Sequence, residues 1–383
     1  MNKAAPSGAA SGEVADARDG CPVRIRRPTF SSRAHHSRST HVVECLDLIP
    51  SSRQEIVRHA LTEAFGAGRM AARFRRLKGG VSGALICRVD IGERCYVLRV
   101  EPERTAVHHR RRGFACMTIA AAAGVAPAVH YADPVGGVAI MDFVDPRPLS
   151  EHPGNTAGLV RELGGLVNRL QSTPTFVPLD QPGDIVATVL ATLDRSGLLA
   201  RGLLDGHREN LARIRAAIPW TPCGLVSSHN DPNPRNLIFD GRRLWLIDWE
   251  LAACNDPLFD LAIVTFELAA TEDLAKVLCV AAGRTPSRSF LARLAVTRLL
   301  ARLFYGGIAL EALAAGPGAA PEHTIDGLTP AEFHRAVLEG RLAVDGPDIA
   351  RAFGMMSLAT FMRGVSEPGF DEVLAWARDA EAP

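Results

Sequence analysis

Aromatic residues are scarce. They make up 6% of the 383 positions, with three tyrosines and four tryptophans. A site built on a crowded aromatic cage, the usual holder of a quaternary ammonium, therefore has few residues to draw on. Paired cysteines are also missing. The eight, at 21, 45, 87, 95, 116, 223, 254 and 279, form no C-x-x-C and stand at no zinc spacing from histidine. Scattered cysteines without a secretory leader read as reduced thiols, so a cytoplasmic protein is expected. No apolar run reaches membrane-spanning length, and no membrane role is expected. The longest, FACMTIAAAAGVAPAV at 114–129, is broken by Gly124 and Pro127 and reads as a buried helix. A global field is absent too: the formal net charge is +1, which argues against a nucleic-acid partner.

What is present is ordinary for a globular chain, 47% hydrophobic and 22% charged. Lys and Arg are in excess over 61–150, and Asp and Glu over 305–383. A basic half suits phosphates and an acidic half a cation; solvated faces of opposite sign explain the same pattern. Residues 1–45 are rich in Ala, Ser, Gly and Arg, with little to bury, and read as a disordered tail. Ser52-Arg-Gln-Glu55 matches a capping box and predicts a helix start. Strand-like runs follow at 73–79, 84–90, 94–100, 128–132 and 137–143, with a helix over 103–123 ended by Gly124. Pro146 and Pro148 mark a boundary. Beyond it helices are expected near 156–171, 185–217, 257–269, 287–314, 347–364 and 370–380. The expected fold is α+β and bilobal: an N-lobe over 46–145 with a small antiparallel sheet, and a mostly helical C-lobe over 146–383.

Residues 229–250, HNDPNPRNLIFDGRRLWLIDWE, interrupt the helical half with polar groups beside short apolar runs. Pro232 and Pro234 hold Asp231 in a loop. NLIFD and LWLID read as a hairpin turning at Asp240-Gly241, which returns Asn236 to the side of Asp248. An amide oxygen and a carboxylate side by side suit Mg2+, which takes hard oxygen ligands and shares phosphates. The plainer reading, an Asx-rich hairpin with solvated ends, leaves the interval from Asp231 to Asn236 unexplained.

The block H-x-D-x-x-x-x-N followed by LIDWELAACNDPLFDLA resembles the aminoglycoside phosphotransferase and choline/ethanolamine kinase family, which has a protein-kinase-like fold. The resemblance runs from about residue 50 to the C-terminus and is strongest over 225–268. It implies that Asp231 is the catalytic base, that Asn236 and Asp248 bind Mg2+, and that Asp256 and Asp260 support the lobe. It implies ATP as phosphoryl donor and a small-molecule hydroxyl acceptor, an amine-bearing one included. In LKGGVSGALICRV it places a phosphate-covering loop, with Gly79 and Gly80 allowing backbone approach and Ser82 donating a hydroxyl. Arg99 takes the position of the strand-three phosphate-binding cation. AIMDFV takes that of the hinge, where backbone groups from Asp142 to Val144 meet adenine and Met141 and Phe143 shape the pocket.

Two departures stand out. The helix after strand three offers no acid near Arg110–Gly113 to pair with Arg99; Glu101 and Glu103 are the nearest upstream. Leu251 follows Trp249-Glu250 where choline kinases carry tyrosine. Tyr305, Phe361, Phe370 and Trp376 are the remaining candidates for a cage. The expected activity is thus transfer of the γ-phosphoryl group of ATP to a small hydroxyl compound, choline/ethanolamine-kinase-like. An aminoglycoside or macrolide kinase, or a non-catalytic nucleotide-binding pseudokinase, is the alternative.

Overall fold

The computed structural model describes residues 48–66, 72–77, 83–103, 105–179, 184–221, 223–314, 321–343 and 347–379. The expected tail at 1–45 and the loop residues Gly79, Gly80 and Ser82 lie outside them.

Chain order in the first part is α1 (Ser51–Phe65), β1 (Arg73–Arg76), β2 (Leu85–Ile91), β3 (Arg94–Val100), α2 (Val107–Ala122), β4 (Val129–Asp133) and β5 (Val138–Asp142). The five strands make one antiparallel sheet in the order β1-β2-β3-β5-β4. The period of two sorts its side chains. Tyr96, Leu98 and Val100 turn to one face and pack with Val57, Ala60 and Leu61 of α1. Arg99 turns to the other. The β2–β3 turn is the one the sequence predicts, with Gly92 at φ +58°.

The capping box expected at Ser52 does not form. The helix starts two residues earlier, with Pro50 at the N-cap and no side-chain cap. Ser52 is then inside the first turn, and its Oγ donates to Glu103 instead, at 3.1 Å. A missing cap costs about 1 kcal/mol. Buried Val57 and Leu61 each contribute about 1.5–3 kcal/mol, so packing outweighs the loss.

The second part is mostly helical: α3 (Asn155–Gln171), α4 (Ile185–Arg195) and α5 (Asp205–Ala217), then β6 (Val226–Ser228), β7 (Leu237–Phe239), β8 (Leu244–Leu246) and β9 (Ala253–Asn255). The chain continues with α6 (Phe259–Val264), α7 (Glu272–Ala281), α8 (Arg288–Ala314), α9 (Pro330–Leu338), α10 (Pro347–Val365) and α11 (Phe370–Arg378). The hairpin β7–β8 forms as expected. Asp240 accepts from the backbone N–H groups of Arg242 and Arg243, and Gly241 sits at φ +94°.

Three elements go beyond the sequence reading. β9 pairs with β6, although Ala-Cys-Asn carries no β-branched residue. α7 is capped by Thr271, and α9 opens on a full capping box between Thr329 and Glu332. The long α8 lies tightly against α10. A Cβ on Gly306 would come within 2.9 Å of Leu358 Cδ2, and one on Gly354 within 2.5 Å of Leu310 Cγ. These glycines let the two backbones approach, and the approach seats Tyr305 at the edge of the 229–250 segment. Among the described residues no helix is long and apolar enough to cross a membrane.

Candidate active site

The loop after β6 is fixed from below. Asp260, at the start of α6 and fully buried, accepts the backbone N–H of His229 and that of Asn230, each at 2.8 Å. Asn230 stands at φ +61°, a conformation Asn tolerates better than most residues. Its Nδ2 donates to Leu251 O at 2.9 Å, and its Oδ1 accepts from Asn255 Nδ2 at 2.8 Å. Burial pushes the His229 imidazole toward the neutral form. Its Nε2–H donates to Ile247 O at 2.9 Å, tying the loop to the end of the hairpin. The structural role implied for Asp260 is thus a specific one. Asp256 pairs with Arg293 and accepts the N–H of Leu258.

Asp231 emerges from this base with its carboxylate surrounded by donors. The Tyr305 hydroxyl donates to Oδ1, as does Asn233 Nδ2 at 2.7 Å. Asn236 Nδ2 donates to Oδ2 at 2.7 Å and to the Asp231 carbonyl at 3.0 Å. Burial pushes the carboxyl up to about 6, against the pull of the Tyr305 and Asn233 hydrogen bonds. A carboxylate poised there can take a proton near neutral pH.

The hairpin closes as the sequence predicts. Ile247 N–H donates to Asn236 O at 3.0 Å, bringing Asn236 beside Asp248. Asp248 sits at φ +66°. Among the described residues its Oδ1 is buried without a hydrogen-bond partner and meets only Arg99 Nη1, at an ion-pair distance of 3.5 Å. The amide nitrogen of Asn236 is committed to Asp231, which leaves its oxygen for a metal. An orphaned carboxylate oxygen beside a free amide oxygen fits Mg2+. No group of three or more His, Cys, Asp or Glu side chains among the described residues could hold a metal alone. An ion here would take its remaining ligands from phosphate and water.

Arg99 crosses from the sheet to this corner. Its Nε donates to Glu101 Oε1 at 2.5 Å and its Nη2 to Glu250 Oε1. The acid expected on the following helix is therefore supplied by two other residues. Glu101 lies two positions along the strand. Glu250 comes from the far side, two residues after Asp248. Its backbone is held by the buried Arg112 of α2, which donates to Glu250 O at 2.9 Å and to Leu179 O. Glu250 thus faces Arg99.

The segment expected to form the hinge makes contacts of its own. Tyr96 lies opposite Asp142, so the Asp142 side chain turns to the α1 face, away from the cleft. There it pairs with His130 at 2.7 Å. Its N–H donates to Ala128 O, and that of Phe143 to Cys95 O. These two N–H groups are therefore engaged within the sheet, which leaves carbonyls and the chain from Val144 onward to meet adenine. Met141 lies opposite Val97, on the same face as Arg99. Phe143 lies beneath the Arg88 guanidinium, 4.6 Å from its ring centroid. Both remain fit to wall a nucleotide base.

The cage candidates separate in the same way. Phe361 and Phe370 are buried in the helical core, and Trp376 lies under Arg288. Only Tyr305 reaches the site, and it does so through Asp231.

The profile of the phosphotransferase enzyme family matches residues 73–294, more than half of the chain and all of the site just described except Tyr305. The chain belongs to that family. Protein LicA of Haemophilus influenzae is 42% identical over 65 residues, 17% of this chain and 22% of LicA. The matched segment thus spans about a fifth of that relative's length. A choline/ethanolamine kinase family protein from Mesorhizobium loti has the same fold, with a TM-score of 0.61 and 22% identity. That alignment covers 86% of this phosphotransferase-family chain and 100% of the other. Choline kinase LicA from Streptococcus pneumoniae aligns at a TM-score of 0.56 and 13% identity, over 82% of this chain and 99% of that one. The bilobal, protein-kinase-like architecture expected from the sequence is thereby established.

The raised carboxyl sets a pH dependence. Asp231 must be ionised to accept a proton, so kcat/KM should fall about tenfold per pH unit below an apparent value at or under 6. Tyr305→Phe removes a donor that favours the anion. Its acidic limb should move to higher pH. A limb that stays in place or moves down would show that Tyr305 does not tune this carboxylate.

Proposed function

We propose that the protein transfers the γ-phosphoryl group of Mg-ATP to a hydroxyl of a small molecule, in the manner of choline and ethanolamine kinases. The observation that carries this reading is the division between two carboxylates at the ends of one hairpin. Asp231 is filled with donors and aimed at an acceptor; Asp248 keeps an orphaned oxygen beside Asn236.

In this reading Asp231 orients the acceptor hydroxyl and takes its proton as the oxygen attacks the γ-phosphorus. The bond from that phosphorus to the bridging oxygen breaks, and the electron pair leaves on ADP. Arg99, held in the cleft by Glu101 and Glu250, meets phosphate oxygens with a planar fork. Mg2+ held by Asn236 and Asp248 would neutralise charge on the β- and γ-phosphates. Gly79, Gly80 and Ser82 would cover those phosphates, and Met141 and Phe143 would flank adenine. The named relatives support the choline/ethanolamine side of the family over aminoglycoside or macrolide kinases. The complete set Asp231, Asn236 and Asp248 speaks against a non-catalytic pseudokinase. The six described cysteines are free thiols, which suits a reducing cytoplasm.

The test has two stages. Mg-ATP at a hundredfold excess over Kd should stabilise the protein by about 2.7 kcal/mol in a thermal-shift assay. Asp248→Ala should lose that Mg-dependent shift while the ligand-free protein still melts cooperatively. ADP release should then be scored over choline, ethanolamine, aminoglycosides and macrolides. Absence of any Mg-ATP shift in the wild type would refute the reading.

A further inference from the structure

α8 carries a second feature toward the site. Arg298, Arg302 and Tyr305 follow at intervals of four and three, which places them on one stripe of the helix. Tyr305 ends the stripe on the Asp231 carboxylate. One turn back, Arg302 is 8% exposed. Its guanidinium carbon lies 3.7 Å from the centroid of the Phe266 ring, and that ring stands 6.1 Å from the ring of Tyr305. Its Nη1 meets the thioether of Met356 at 3.9 Å. A further turn back lies the half-buried Arg298.

Neither arginine has a carboxylate within ion-pair distance among the described residues. Other sheltered arginines are met: Arg112 by the carbonyls of Leu179 and Glu250, and three more by carboxylates. Arg99 holds Glu101 and Glu250, Arg215 holds Asp184, and Arg293 holds Asp256. Withdrawing a guanidinium from water without a counter-ion is costly, and such a group beside a catalytic centre marks a binding site. Burial, and then the neighbouring Arg298, push the Arg302 guanidinium down to about 10. Arg298 is lowered by burial as well. Glu267 acts on Arg302 only through its field and is itself exposed.

We propose that Arg298 and Arg302 form an anion subsite in the acceptor pocket, so that the phosphorylated alcohol also bears a carboxylate or a phosphate. Tyr305 and Arg302 are three residues apart on the helix, about 4.5 Å along its axis. A short acceptor, with a few bonds between hydroxyl and anion, spans that distance. Its anion would meet the planar fork of Arg302, which suits bidentate binding of either group. A quaternary ammonium there would face two guanidinium groups with no neutralising acid in contact. An amine on the same molecule is compatible, since Glu267 stands exposed nearby. This inference rests on the kinase reading above and narrows its acceptor.

The experiment compares matched alcohols in an ADP-release assay under Mg-ATP. Choline and ethanolamine carry a cation alone. Homoserine and serine add a carboxylate, glycerate carries only a carboxylate, and glycerol 3-phosphate carries a phosphate. At least one anionic probe is expected to exceed choline and ethanolamine by about tenfold or more in kcat/KM. Glycerate against glycerol 3-phosphate separates the two anions. Arg302→Gln should raise KM for that probe about 10- to 100-fold with the KM for Mg-ATP unchanged, and Arg302→Lys should recover part of the loss. A retained Mg-ATP thermal shift shows that the variant is folded; if Arg302→Gln does not fold, Arg298→Gln serves instead. Thermal shifts by each probe, measured on protein saturated with Mg2+ and a non-hydrolysable ATP analogue, give a readout that needs no turnover. Preference for choline or ethanolamine, or no anionic probe producing either ADP or a shift, overturns the anion subsite while the kinase reading stands. Absence of the Mg-ATP shift in the wild type overturns both.

Discussion

Asp231→Asn lowers kcat by about 10²–10⁴-fold while the thermal shift given by Mg-ATP survives. The substitution keeps the size of the side chain and an oxygen that can accept from Tyr305 or Asn233. What it removes is the capacity to take the hydroxyl proton. The metal corner is built from other atoms, the orphaned Oδ1 of Asp248 and the amide oxygen of Asn236, so nucleotide binding should be spared. Some rearrangement is expected, because Asn236 Nδ2 would lose an acceptor if the new amide nitrogen faced it. Single-turnover measurements separate this from slow release of product. A variant that turns over at the wild-type rate would remove Asp231 from the mechanism.

Asp260→Ala is expected to lower stability by about 3–5 kcal/mol and to abolish turnover even below its melting point. Asp260 has no role at the reacting atoms. Its two oxygens satisfy two adjacent buried N–H groups, of His229 and Asn230, at 2.8 Å each. Leaving one buried donor without an acceptor costs about 1–3 kcal/mol, and here two are left together. Asn230 also depends on this support to hold its positive φ. The loop that presents Asp231 would relax toward ordinary backbone, and the carboxylate would move with it. Calorimetry and initial rates on the same preparation check both parts. An unchanged melting temperature would mean that water replaces the carboxylate.

The loop and hairpin over 229–250 were legible because short-range contacts fix them. Asp231, Asn236 and Asp248 lie within one loop and one hairpin, and a hairpin returns its ends wherever the rest of the chain goes. The N-terminal sheet was legible for a similar reason, since alternation in β2 and β3 marks both strands and the faces they present. Partners contributed from a distance carry no such mark. Glu250 carried no mark as the partner of Arg99, since the sheet brings the two together from 151 positions apart. Tyr305 read as a cage residue and is instead a donor to Asp231. Phe361 and Phe370 carried the right chemistry for a cage, but helical packing turns them inward. The capping box at Thr329 was present and passed unread among loop residues.

Arg99 and Glu250 stand 151 positions apart in the chain, and Asp231 and Tyr305 stand 74 apart. Hairpins such as β2–β3 and β7–β8 close only short loops, at little entropic cost. The contacts that complete the cleft close long loops, and their reward comes only after both halves have taken shape. On the folding route the phosphate corner is therefore a late event. A chain that has made its sheet but has not yet brought Glu250 across carries the phosphate-binding arginine in a half-formed cleft, with Glu101 as its one local counter-charge.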